Sequence, residues 1–500
     1  MRYGFVIDQT RCIGCHACTV ACKEENGVPL GAFRTWVKYI EKGEFPHTRR
    51  YFAVLRCNHC DSAPCVTICP TVALYRRRDG IVDFDRDRCI GCKSCLQACP
   101  YDALYIDPAT HTAAKCHFCA HRVERGLEPA CVIVCPERAI LAGDLDDPAS
   151  EVARVVAREQ VQVRKPEQGT RPKLFYVGAD AATLTPSLQR PAAASLWGQA
   201  PPAPLWTAAS GDGGPRVPKA VDALGRTVYD VPHEPRPWGW RVSAYLWTKS
   251  VAAGAALLAA LGGLLGWTPA GGAALPLLAL VFLLATTVLL IADLKRPDRF
   301  FYILLKPNPR SWLVWGAWIL LAFGVVATLW LLAGLAGRPG LLALLAVPLV
   351  ALALAAAGYS AFLFAQAEGR DFWQSPLVLP QLLVGAVLAG AAVALLAHGP
   401  LAGLRGLLIA ALGVNLLLVL AELYTPHTNL DAGAAARVVT QGPGRAAFWG
   451  GVVVGGTLVP ALLLLAASPA PAAVASLLAL AGLYCWEECW VRAGQAVPLS

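Results

Sequence analysis

The sequence predicts two domains suited to different solvents, an α+β cysteine-rich half followed by an all-α membrane bundle of eight transmembrane helices. Three observations carry that expectation. Sixteen of the 18 cysteines fall between Cys12 and Cys135 in four groups of four. The 500 residues are 56% hydrophobic and 15% charged, with most charge before residue 240 and the long apolar runs after it. Between the two, Pro186 to Pro237 carries ten prolines and no sustained period, which suits a semi-extended linker or a strap over a partner surface. The expected domains are residues 1–180 and 239–500, joined by a linker at 181–238. The net charge of +9, without basic clusters interleaved with aromatics, reads as loop charge at a membrane surface, so nucleic acid is not an expected partner.

The cysteine groups are Cys12, Cys15, Cys18, Cys22; Cys57, Cys60, Cys65, Cys69; Cys89, Cys92, Cys95, Cys99; and Cys116, Cys119, Cys131, Cys135, the last three each followed by proline. In bacterial ferredoxins, three closely spaced thiolates hold one 4Fe-4S cube and the fourth, before a proline, reaches the neighbouring cube. Four such groups imply four 4Fe-4S clusters in a ferredoxin-like, double dicluster domain. Structural zinc fits less well, because it pairs two cysteines from one turn with two from another, whereas three cysteines within seven residues suit adjacent corners of a cube. Disulfides are not expected, since no secretory leader precedes the domain. A c-type haem is excluded by spacing, because no Cys-x-x-Cys-His occurs.

Taken in order, Met1 to Asp8 alternate as a short strand, with no apolar leader after Arg2, so the domain is expected to stay on the side where it was made. Glu24 to Arg56, with Trp36, Tyr39, Tyr51 and Phe52, reads as a strand pair covering the clusters. Tyr75 to Phe84 reads as a hairpin turning at Asp79-Gly80. An amphipathic helix is expected from Pro148 to about Glu159, then an extended piece at Leu174 to Val177. Trp238-Gly239-Trp240 has the look of an aromatic pair at a bilayer interface.

At this point residues 1 to about 180 resemble the iron-sulfur subunit of the DMSO reductase and polysulfide reductase family. The matching stretches are Tyr3-Gly-Phe-Val-Ile-Asp8, Arg11-Cys-Ile-Gly-Cys15, Cys57-Asn-His-Cys60, Pro64-Cys65, Arg88-Cys-Ile-Gly-Cys92, Cys99-Pro-Tyr101 and Lys115-Cys116. The resemblance implies that groups exchange their fourth cysteines. The implied ligand sets are Cys12, Cys15, Cys18 with Cys135; Cys116, Cys119, Cys131 with Cys22; Cys57, Cys60, Cys65 with Cys99; and Cys89, Cys92, Cys95 with Cys69. Lys23 stands where the other groups have proline, a departure that relatives share.

Eight apolar runs long enough to span a bilayer lie near 241–266, 272–292, 312–335, 340–364, 376–397, 402–424, 446–467 and 470–490. Asp293-Leu-Lys-Arg-Pro297 continuing to Lys306-Pro-Asn308 and Ser311-Trp312, and the ending Ala493-Gly-Gln495 with Pro498, resemble the NrfD and polysulfide reductase membrane anchor. Two subunits that relatives make separately are thus expected in one chain. Nine Lys and Arg fall in loops and tail on the cluster side (Lys295, Arg296, Arg299, Lys306, Arg310, Arg370, Arg437, Arg445, Arg492) and two on the other (Arg338, Arg405). That bias puts the iron-sulfur domain in the cytoplasm.

A b haem needs histidines inside helices. His398 and His427 read as loop residues and His233 as linker, so the anchor is expected to hold no haem and to pass electrons to a diffusing quinone, menaquinone or ubiquinone. Ionisable groups bordering the spans are costly and functional, and Lys249, Asp293 and Glu422 lie deepest on the cluster side. With Arg296, which the resemblance singles out beside Asp293, they are the candidate quinone and proton-transfer residues. Quinone protons are expected to exchange with the cytoplasm, because the outer half offers only Thr286, Thr287 and Asn415. Cys485 and Cys489 read as small packing residues. The chain holds no molybdopterin domain, so substrate chemistry is expected on a molybdopterin-containing catalytic partner. The other function considered is a transporter or sensor regulated by its clusters; four clusters in series suit a wire better.

Overall fold

The computed structural model describes residues 1–43, 46–191, 224–232, 237–264, 272–399, 401–466 and 468–500. The chain divides into two compact units. The first is Met1–Pro237 with Ala367–Arg370 and Pro498–Ser500, and the second is Trp238–Gln366 with Asp371–Val497.

The first unit is built from short strands. They are β1 (Tyr3–Asp8), β2 (Thr35–Lys42), β3 (Arg49–Arg56), β4 (Leu74–Arg76), β5 (Val82–Phe84), β6 (Leu104–Ile106) and β7 (Ala113–Lys115), then β8 (Ile140–Asp144), β9 (Val161–Gln162), β10 (Leu174–Val177), β11 (Gln189–Pro191) and β12 (Gly225–Tyr229). One sheet has the order β8-β1-β10-β9, with β1 parallel to β10 and antiparallel to β8. Its interior position explains why Phe5, Val6 and Ile7 form an unbroken apolar run, all at most 1% exposed. The amphipathic helix that packs beside it runs Glu151–Arg158 and buries Val152.

The insert between the first two cysteine groups forms the expected hairpin, β2 against β3 in register from Thr35 opposite Arg56 to Lys42 opposite Arg49. The stretch expected to be a semi-extended linker or a strap holds regular structure of its own. A short helix, Ala181–Leu184, is capped by the Asp180 side chain, and β11 and β12 extend the hairpin into a four-stranded sheet, β11-β12-β2-β3. Apolar positions spaced for a strand, such as Val228 beside Thr227, are obscured in the sequence by the prolines around them. Residues 192–223 and 233–236 of the linker, with His233, lie outside the described residues.

Two small hairpins separate the later cysteine groups. In β4–β5 the Asp79 carboxylate accepts from Ile81 N at 3.0 Å and Gly80 takes φ 80°, the conformation glycine adopts without strain. The β6–β7 pair repeats the arrangement before the fourth group. Arg370, read from sequence as a loop cation, is buried within the first unit and donates from Nε to Gln97 Oε1 at 2.7 Å.

The second unit is helical. Among the described residues, seven helices are long and apolar enough to cross a membrane: Trp240–Leu264, Ala274–Asp293, Trp312–Leu335, Pro339–Ala365, Val378–His398, Ala402–Tyr424 and Pro469–Gly494. The first and fifth are the most buried and form the centre of the bundle. They approach at Gly254 and Gly390, where a Cβ on Gly254 would stand 2.5 Å from Gly390 N. The second, third and fourth present Leu284, Leu321 and Val347 outward, as lipid-facing helices do.

The expected run near 446–467 is a shorter apolar helix, Ala447–Leu463, of 17 residues. At about 1.5 Å per residue it covers roughly 25 Å, less than the 30 Å hydrocarbon thickness. Its first part, Ala447–Leu458, is wound as a π-helix, and Thr457 Oγ1 donates to Val452 O five residues back at 2.9 Å. A helix the periodicity did not flag, Leu430–Thr440, precedes it, capped by the Asn429 side chain. Trp238 also differs from expectation. It is buried and stacked on Trp373 beside Phe364 and Trp490, leaving Trp240 as the outward aromatic.

Candidate functional site

Each cysteine group opens with the same loop. The residue before the second cysteine has positive φ in all four: Gly14 (72°), His59 (43°), Gly91 (68°) and Phe118 (62°). That turn points its N–H back at the first cysteine. His59 N donates to Cys57 Sγ at 3.5 Å, Gly91 N to Cys89 Sγ at 3.4 Å and Phe118 N to Cys116 Sγ at 3.4 Å. Glycine is required at position 14, where a Cβ would stand 2.4 Å from the Phe52 ring. His59 and Phe118 bear the left-handed strain because their rings pack together at 5.3 Å, with Phe5 4.1 Å from Phe118.

The structure brings cysteines from different groups together. One cavity is lined by Cys12, Cys15, Cys18 and Cys135, a second by Cys22, Cys116, Cys119 and Cys131, and a third by Cys69, Cys89, Cys92 and Cys95. Cys57, Cys60, Cys65 and Cys99 stand close enough to act on one another electrostatically. The sets are also neighbours in a definite order. Cys131 acts electrostatically on Cys18, Cys57 on Cys116 and Cys65 on Cys95, which orders the four first, fourth, second, third by group.

Burial, reinforced by neighbouring thiols, pushes the Cys18 thiol up to about 11 and Cys116 to about 12. Cys22 and Cys60 are pushed higher still by the same causes. Four thiolates around one cavity are therefore tolerable only with compensating positive charge, which metal ions supply. Further donors already point at sulfur: Leu74 N to Cys69 at 3.4 Å, Ala113 N to Cys89 at 3.4 Å, Ala139 N to Cys135 at 3.2 Å and Arg56 Nη1 to Cys131 at 3.0 Å. Thiols, inward N–H groups and buried walls fit an iron-sulfur cluster.

In the helical unit the structure gathers a buried polar cluster. Lys249, 1% exposed, donates to Ala357 O and to Ser360 Oγ, both at 2.8 Å, and lies over the Tyr359 ring at 4.8 Å. Glu487 is close enough to Lys249 to interact electrostatically. Glu422 accepts from Trp490 Nε1 at 2.9 Å. With its amide oriented by its partners, Gln381 donates to Glu422 Oε2 and accepts from Trp486 Nε1, both at 2.9 Å. Gln381, Asn415, Trp486, Glu487 and Trp490 line one cavity. Asp293 ends the second helix half-buried, within electrostatic reach of Tyr245. Arg296 lies in the following loop and forms a two-point contact with Asp298 at 3.0 and 2.8 Å.

Sequence reasoning selected Lys249 and Glu422 but missed Gln381, Ser360 and the two tryptophans. The available signal was the i, i+4 spacing of Trp486 and Trp490 on either side of Glu487. Cys485 donates to Ala447 O at 3.3 Å, and its sulfur would meet a Cβ on Gly451 at 2.7 Å.

A ferredoxin-like domain with cysteine-lined cavities, continued by a helical bundle with a buried polar core, defines a membrane-bound iron-sulfur electron-transfer protein. Residues 231–498 match the family described as polysulphide reductase, NrfD, and this protein belongs to that family. Residues 48–145 match a 4Fe-4S dicluster domain and residues 9–26 a 4Fe-4S binding domain. Relatives of the first unit include a tetrathionate reductase subunit of Salmonella typhimurium, 48% identical over 200 residues, which are 39% of this chain and 80% of the relative. A polysulfide reductase polypeptide of Wolinella succinogenes is 44% identical over 181 residues, 35% of this chain and 94% of the relative. Protein NrfC of Escherichia coli is 46% identical over 180 residues, 35% of this chain and 81% of the relative.

Proposed function

We propose that the chain is the electron-transfer and quinone-reactive membrane subunit of a molybdopterin oxidoreductase complex. The observation that carries this reading is the row of four cysteine sets in a chain that continues into an NrfD-type bundle. Each set would hold one 4Fe-4S cluster: Cys12, Cys15, Cys18, Cys135; Cys22, Cys116, Cys119, Cys131; Cys57, Cys60, Cys65, Cys99; and Cys69, Cys89, Cys92, Cys95. The clusters supply one-electron transfer. The protein's part is to bury them, aim N–H groups at their sulfurs and keep them in sequence.

The cavity of Cys12, Cys15, Cys18 and Cys135 is the most open of the four, Cys15 being exposed and Cys12 and Cys135 half-buried, whereas in the set of Cys69, Cys89, Cys92 and Cys95 Cys92 alone is half-buried. Ile13, Val20 and Ile133 lie exposed in the same segments, at 54%, 64% and 53%. An apolar surface over a shallow cluster suits docking of a catalytic subunit. In the bundle, Lys249, Glu422, Glu487 and Gln381 supply titratable and hydrogen-bonding groups for a quinone head group inside an apolar shell. Asp293 and Arg296 sit toward the helix end, where protons would exchange with water. The loop charges favour an iron-sulfur domain facing the cytoplasm.

The test is metal analysis of anaerobically purified protein. Roughly sixteen irons per chain, four for each of four clusters, are expected, with no haem and no zinc. Stoichiometric zinc, or a b-haem absorption band on reduction, contradicts the reading.

A further inference from the structure

Arg56 ends β3 directly before Cys57, so the strand drives its side chain inward among the sulfurs. It is 1% exposed, and its guanidinium lies 4.7 Å over the Phe5 ring. Nη1 donates to Cys131 Sγ at 3.0 Å, and Arg56 lines the cavity of Cys22, Cys116, Cys119 and Cys131. Among the described residues, Nε and Nη2 have no hydrogen-bond partner. The ionisable groups that act most strongly on it are Cys131, Cys116 and Cys18, not carboxylates.

A guanidinium cannot shed its proton in a protein, and burying one without a partner is costly. Here the partner is sulfur. Reduction of a cluster adds one negative charge, so a fixed cation beside it stabilises the reduced form more than the oxidised form. A hydrogen bond to a ligand sulfur acts in the same direction. We propose that Arg56 is a potential-setting residue whose fixed positive charge holds the cluster of Cys22, Cys116, Cys119 and Cys131 more readily reducible than its surroundings alone would make it. The inference rests on the four-cluster reading above. It goes further by assigning one side chain outside the ligand set to the energetics of one step in the wire.

The experiment is an EPR-monitored redox titration of the full chain in membranes. In Arg56→Met the ratio of reduced to oxidised cluster at a fixed potential is expected to fall about tenfold, a downward shift of about 59 mV for a one-electron couple. Arg56→Lys, which keeps the charge, should retain most of the original ratio, and the cluster of Cys69, Cys89, Cys92 and Cys95 should be unmoved. Where Arg56→Met loses the cluster, Arg56→Gln serves as the second neutral variant. An unchanged ratio in a neutral variant with its signal intact overturns the proposal. So does an equal shift in Arg56→Lys and Arg56→Met, which removes charge as the cause. Loss of the signal in both neutral variants overturns it in favour of a role in assembly. A wild-type chain without iron-sulfur signals instead refutes the four-cluster reading itself.

Discussion

Replacing Cys22 by alanine separates two ways of grouping the cysteines. By sequence Cys22 belongs with Cys12, Cys15 and Cys18, while in the fold it lines the cavity of Cys116, Cys119 and Cys131. Asn26 Nδ2 lies 3.6 Å from both Cys22 Sγ and Cys119 Sγ, spanning the two segments. Removing one thiol of four leaves a cluster with three ligands. Iron should therefore fall by between one atom and four of roughly sixteen, depending on whether that cluster opens or is lost. The assay is iron content together with low-temperature EPR of Cys22→Ala, Cys12→Ala and Cys116→Ala in parallel. Cys22→Ala is expected to alter the same signal as Cys116→Ala and to leave the one altered by Cys12→Ala. The reverse pattern would refute the exchange of fourth cysteines.

Other perturbations test the bundle. In Gly254→Val the new Cβ meets Ala386 O at 2.0 Å and Gly390 N at 2.5 Å. Overpacking of this kind costs about 1–3 kcal/mol, so the detergent-solubilised protein should unfold several degrees lower, and an unchanged midpoint contradicts the close crossing. Lys249→Met and Glu422→Gln should each slow quinone-linked turnover by about a hundredfold while artificial-dye activity of the assembled complex persists. Equal loss of both activities would point to misassembly instead. A reporter fused after Ser500 should be active only as a cytoplasmic tag; periplasmic phosphatase activity there would reverse the proposed orientation.

The cysteine domain was legible because its chemistry is written in local spacing. Gly14 and Gly91 sit inside Cys-x-x-Cys loops at a positive-φ position that glycine takes without strain, and Asp79-Gly80 announces its hairpin. His59 and Phe118 occupy the same positive-φ position, but long-range ring packing holds them there, and no local signal reports that. The strand at Gly225–Tyr229 escaped because its partner is β2, nearly two hundred residues earlier, and prolines surround it. In the bundle, length and hydropathy mark most helices, yet they cannot distinguish an α-helix from the π-wound Ala447–Leu458. Lys249 and Glu422 stood out because charge in an apolar run is conspicuous. Gln381, Ser360 and Trp490 did not, because each becomes functional only through neighbours on other helices.

The most direct test of the central claim asks whether electrons cross from the clusters to quinone within this chain. Membranes holding the protein would be reduced anaerobically until the cluster EPR signals are maximal, then given a stoichiometric amount of a short-chain quinone. The cluster signals are expected to diminish as quinol forms, two electrons for each quinone, and Lys249→Met and Glu422→Gln to suppress this exchange. Clusters that stay reduced beside added quinone, yet are oxidised at once by an artificial dye, would contradict it.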